Sequence, residues 1–157
     1  MMGGTVLTTA LIVSALGCGA IAGIYYAFSG FIMRALDTTG TVPATDAMIA
    51  INRVILGSGF MVLFFGTTLL SLLLLVAALI QRPAGQWLII GSAAVYLIGM
   101  LGVTMLRSVP LNQQLAAEGA QMWPAYLRHW TFWNHVRTAA SLIAAAGFCL
   151  ALLQTRA

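Results

Sequence analysis

Lysine is absent from this 157-residue sequence, and Asp and Glu together number only three. Seven arginines carry the fixed positive charge, and with 61% hydrophobic and 6% charged residues the chain falls outside the range of a water-soluble globular domain. The basic balance does not make a nucleic-acid surface, because the arginines stand far apart and form no cluster. Cysteine is scarce too. Cys18 and Cys149 lie singly inside apolar runs with no CxxC, which excludes a disulfide framework or zinc site and leaves both read as small buried residues. A signal-peptide pattern is also missing. Met1 to Phe28 has no basic n-region and its apolar stretch outruns a signal h-region, so the segment is expected to be retained.

What remains is apolar sequence punctuated by charge. Residues 1–33, 54–81, 83–106 and 138–155 contain no Asp, Glu, Lys or Arg. Each run meets or approaches the ~20 residues that cross a hydrocarbon core, and in lipid a lone span must be helical to satisfy its own backbone. The sequence therefore predicts an all-α fold: an integral membrane four-helix bundle, a single transmembrane domain over 1–157, with spans at roughly 6–31, 56–80, 87–106 and 131–153. "QRPAGQ" between the second and third spans is a tight turn around Arg82, Pro83 and Gly85. The other two connections are long and polar, and because spans alternate direction both must lie on the opposite side. Pro43 opens a helical pattern with Met48, Ile51 and Ile55 on one stripe. After Pro110 the pattern is a short helix, a break near Gly119 and a new start at Pro124. Small residues at Ala15, Gly19 and Gly23, at Gly99 and Gly102, and at Ala140 and Ala144 are expected to let helices approach closely.

Arg34, Asp37, Asn52, Arg53, Arg107, Asn112, Glu118, His129, Asn134, His135 and Arg137 all fall at one end of the expected bundle. A charge inside a membrane boundary costs ~2.5–3.5 kcal/mol on insertion scales, so an arginine in a span is a site candidate. In "HWTFWNHVRT" (129–138), helical spacing sets Trp130, Asn134, Arg137 and Ser141 on one stripe and Arg128, Thr131, His135 and Thr138 on another. Two plainer readings stand beside a site. Trp123, Tyr126, Trp130 and Trp133 also suit an interfacial aromatic belt, and Asn112, Asn134, His135 and Arg137 an interhelical hydrogen-bond network. His129 and His135 do not share a helix face, which disfavours a bis-histidine metal or haem site.

"FSGFIMRAL" (28–36), "AMIAIN" (47–52), "VPLNQQL" (109–115) and "WTFWNHVRTAAS" (130–141) together resemble the anthrone-oxygenase-like family of small membrane proteins, long known as a domain of unknown function. Where many relatives carry Met-Pro after the first helix, this chain has Met33-Arg34. The resemblance covers nearly the whole chain. It implies a four-helix membrane bundle and, as in some fungal members, cofactor-independent oxygenation of an apolar polycyclic phenol or anthrone to a quinone, without metal or flavin. On that basis His135 is expected to be the general base, with Arg137, Asn112 and Asn134 donating to the enolate-like oxygen. Trp130, Trp133 and Tyr26 are expected to stack on the ring, and Asn52 and Arg107 to complete the substrate site. Expected partners are an apolar aromatic small molecule and the lipid bilayer of a bacterial inner membrane, with a homo-oligomer left open. Binding of a quinone-like or lipid ligand without chemistry, or service as an accessory membrane subunit, is the competing reading.

Overall fold

The apolar runs form helices throughout the computed structural model, which describes residues 3–156. Helix α1 (Gly4–Ala27) passes through a π-helical turn (Phe28–Ile32) into α2 (Met33–Asp37), so the first rod continues well past the expected end at residue 31. Gly40, at φ +96°, reverses the chain into α3 (Thr41–Val54). Pro43 sits in the first turn of α3, where no backbone donor is needed. A short 3-10 turn (Ile55–Gly57) leads to Ser58, whose hydroxyl accepts from the Phe60 N–H at 3.3 Å and caps α4 (Gly59–Gln81). The predicted tight turn follows, with Arg82 and Gly85 both left-handed at φ +47° and +74°.

The third span starts as α5 (Gln86–Tyr96) and continues through two π-helical stretches, Leu97–Gly102 and Thr104–Ser108, into α6 (Val109–Glu118). Gly119 at φ +69° breaks the run, as its position predicts. A 3-10 turn (Gly119–Met122) then starts α7 (Trp123–Arg156), a 34-residue helix that begins beside Pro124 and enters the last apolar span without interruption. Three stretches are long and apolar enough to cross a membrane: Gly4–Asp37, Gly59–Gln81 and Gln86–Thr155. The last doubles back at Gly119, so it contributes two rods and the bundle has four.

Small residues fix the register of α5 against α7. A Cβ on Gly85 would meet Gln154, one on Gly99 would lie 2.5 Å from the Ala140 Cβ, and one on Gly147 would strike the Ser92 hydroxyl. Each seven-residue step along one helix is matched by seven back along the other, the signature of an antiparallel pair meeting every second turn. Gly17 of α1 packs on Thr67 of α4 in the same way. The expected stripe on α1 is corrected at two positions: Gly19 and Gly23 have nothing close to them, and Gly17 makes the close approach. Cys18 is buried as expected, whereas Cys149 is exposed.

Two cores result. The first, through the apolar spans, contains Leu11, Ile21, Leu74, Ile89, Tyr96 and Phe148. The second joins Met33, Ala44, Met48, Leu115, Trp123 and Tyr126, and packs the two polar connections together at one end of the bundle. The outer surface of the rods is apolar, with Val62, Leu69, Ile80, Ile98 and Leu153 all exposed, as a lipid-facing surface requires.

Candidate functional site

The π-helical turns come at the level where the two cores meet. A π turn widens the helix and displaces its hydrogen-bond ladder, so groups near it become free for other partners. Just before the first such turn, the Tyr25 carbonyl accepts from the Ser29 hydroxyl at 3.1 Å and from the Asn134 side-chain amide of α7. Asn134 is fully buried, and its Oδ1 accepts from Arg137 Nη2 at 2.7 Å. The amide thus ties α1 to α7 and aims the guanidinium.

Arg137 is 4% exposed. Its guanidinium carbon lies 4.1 Å from the centroid of the Tyr25 ring and 5.3 Å from that of Trp130, and Nη1 donates to the Thr104 hydroxyl at 3.4 Å. All of these partners are neutral. Desolvated cation–π contacts contribute ~2 kcal/mol, comparable with the insertion cost of one arginine, so the charge is held without a carboxylate. Among the described residues its Nε–H finds no acceptor, and neither does the buried Trp130 indole N–H.

Arg137 and Trp130 line a cavity of about 310 Å³ enclosed by α1, α3, the start of α4, the second π stretch of the third span and α7. That volume is at the low end for small-molecule sites. The walls are mostly apolar and aromatic, with Phe28, Met48, Ile51, Phe60 and Phe64 prominent. Leu56, Phe65 and Met105 form an exposed apolar rim, 57–67% accessible, so the mouth faces the lipid-exposed side. Behind the two amides of the cavity wall, the Tyr126 hydroxyl donates to Asn112 Oδ1 at 2.8 Å and accepts from Asn52 Nδ2 at 3.5 Å. Asn52 and Asn112 also line an outer hollow of about 350 Å³ that contains Arg53 and Gln113, so these amides separate the apolar cavity from the polar end.

The profile of the anthrone oxygenase family matches residues 60–147, more than half of the chain. The chain belongs to the anthrone oxygenase family. The matched stretch carries Thr104, Asn112, Trp130, Asn134 and Arg137, and leaves out Tyr25 and Asn52. Comparison with curated proteins and with solved structures gave no match.

Within this member of the anthrone oxygenase family, the structure brings Arg137, Asn112, Asn52 and Trp130 to one cavity and sets Asn134 directly behind it. His135 is excluded. It lies two residues before Arg137, about 200° around the helix, and is exposed on the outside of the bundle. Tyr26 is likewise 64% exposed, and its neighbour Tyr25 takes the place expected for it. Arg107 and Trp133 line a different hollow. Among the described residues no group of three or more His, Cys, Asp or Glu converges to hold a metal. Tyr25, Thr104 and Tyr126 are site residues that sequence reasoning missed. Thr104 and Asn112 sit about two turns apart, a spacing that could have joined them, but an aromatic belt accounted for Tyr126 equally well.

Proposed function

We propose that this chain binds a flat, apolar phenol- or anthrone-type ring in the cavity, with the ring oxygen at the Arg137 and Trp130 end, and oxygenates it to a quinone. The observation that carries this reading is the Arg137 guanidinium, 4% exposed and held by neutral partners and by no carboxylate among the described residues, in the wall of a mostly apolar cavity. A buried cation that meets only neutral partners would be stabilised by a ligand oxygen that carries negative charge beside it. The apolar rim suits a ring that arrives from the bilayer.

In an anthrone the benzylic CH2 is acidified by the carbonyl across the ring. Loss of one proton places the negative charge on that oxygen, where a fixed guanidinium stabilises it in a site of low dielectric. The electron-rich carbon then passes one electron to molecular oxygen, and the radical pair joins as a benzylic peroxide. Protonation of the outer oxygen and loss of water, with the second benzylic hydrogen leaving as a proton, yields the new carbonyl. One O2 is consumed, one of its atoms stays in the quinone and the other leaves as water.

His135 has no part in this scheme. Among the described lining residues there is no imidazole or carboxylate, so the cation acidifies the substrate by stabilising its anion, and the C–H proton leaves to a water molecule admitted with the ring. That same lack of a titratable base favours a second reading, in which a quinone-like ring is held without turnover. Oxygen consumption distinguishes the two. Membranes containing the protein should take up O2 when given an anthrone, and an Arg137→Gln variant should lose that uptake. Saturable binding of the ring with no uptake by the wild type would leave binding alone.

A further inference from the structure

The π-helical turn that sends Thr104 and Met105 to the cavity sends Leu106 and Arg107 to a separate hollow of about 200 Å³. No lining residue is common to the two. Arg107, Gln114, His129 and Trp133 reach the hollow from the end of the third span, from α6 and from the start of α7. They bring a guanidinium, a primary amide, an imidazole and an indole, and among the described residues no carboxylate lines the space. The Arg107 guanidinium carbon stands 5.1 Å from the centroid of the Trp133 ring. Stacking on an aromatic face orients a guanidinium while leaving the N–H groups of its edge available for a planar or tetrahedral anion.

Depth within the bundle narrows the ligand. Arg107 closes the uncharged run 83–106, and His129 lies just before the last apolar span. Leu106 is 75% exposed and Phe132 beside the hollow is 58% exposed, so apolar surface begins at its edge. This is the boundary at which phosphate groups of a bilayer lie, and basic pockets between spans at that level take anionic headgroups. We propose that this hollow binds the phosphodiester of an anionic lipid, with Arg107 and His129 on its oxygens and Leu106 against the start of an acyl chain. The proposal is independent of the oxygenase reading.

Purified protein in a non-ionic detergent would be titrated at fixed ionic strength with dihexanoyl phosphatidylglycerol, dihexanoyl phosphatidylcholine and inorganic phosphate. The thermal midpoint is followed, and bound molecules are counted by native mass spectrometry. The anionic lipid should bind saturably and raise the midpoint. Arg107→Gln should weaken it about tenfold, as loss of a charge-assisted bond does, and His129→Gln should weaken it less. Both residues are exposed, so neither change threatens the fold. Arg137→Gln should leave this response intact, separating it from the cavity. Inorganic phosphate binding as tightly as the anionic lipid would overturn the lipid assignment in favour of a free-phosphate site. An equal response to phosphatidylcholine, no saturable response, or binding unchanged in both Arg107→Gln and His129→Gln would overturn the proposal.

Discussion

Around Gly85, Ser92 and Gly147 the rods are regular α-helix, locked at two-turn intervals by glycine and alanine, and the interior is filled by Leu, Ile and Phe side chains. Toward Tyr25 and Thr104 the first and third rods pass into π turns, α3 and α6 fold over the end, and a cavity opens around the buried cation that the regular α7 supplies. The first core and the walls of the cavity are both mostly apolar. The difference is that close contact at one end leaves no room for a ligand, whereas at the other the widened turns free backbone and side-chain groups to face one. Stability and ligand chemistry are thereby assigned to different depths of one bundle, and each can be disturbed separately.

The largest effect should come from the cation. Arg137→Gln removes the charge opposite the ring oxygen, and anthrone-dependent oxygen uptake in membranes should fall by about 10²-fold or more, as for loss of an oxyanion donor. The variant should remain folded, because replacing a buried charge by a neutral amide relieves its desolvation cost. The complementary change is Gly147→Val in the regular end, where a Cβ would strike the Ser92 hydroxyl. Overpacking of this kind should cost about 1–3 kcal/mol, read as a lowered denaturation midpoint in detergent, with uptake per folded molecule preserved. If Gly147→Val abolished uptake while leaving the midpoint alone, the division between the two ends would not hold.

A smaller effect is expected from Tyr126→Phe, which deletes the donor to Asn112 Oδ1. Loss of that hydrogen bond, which holds an amide of the cavity wall in place, should cost about 1 kcal/mol and lower turnover by about three- to tenfold on that energy scale. Ring affinity, measured by equilibrium dialysis, should change less than turnover. The smallest effects belong to His135→Ala and Tyr26→Phe. Both positions face outward, and turnover should stay within about twofold of wild type, as is usual for substitutions away from buried features. A large loss in His135→Ala would mean that this imidazole reaches the substrate after all.

Much of the architecture was legible before any coordinates. Charge-free runs marked the rods, Pro83 and Gly85 the tight turn, and Pro43, Pro110, Gly119 and Pro124 the limits of the interfacial helices. Helical spacing also put Trp130, Asn134 and Arg137 on one face, and the structure places these three together at the cavity. The π turns left no such mark. Glycines and serines near residues 30, 99 and 108 also serve ordinary packing, and nothing in periodicity distinguishes a widened turn from a regular one. The small-residue stripe misled for a related reason. Gly19 and Gly23 share the spacing of a contact face, but the bulk of Thr67 opposite Gly17 determined which face α1 presents.

The sequence alone determined the material of the protein: four apolar helical rods, one polar end, and a family resemblance carried by residues that the bundle then draws together. Only the tertiary structure decided which of two nearby residues faces inward, Tyr25 over Tyr26 and Arg137 over His135. Adjacent residues on a helix point about 100° apart, and in rods apolar on nearly every side the pattern of side chains does not define an inner face. Packing between rods and the displaced phase of the π turns set that rotation, and with it the groups that meet a ligand.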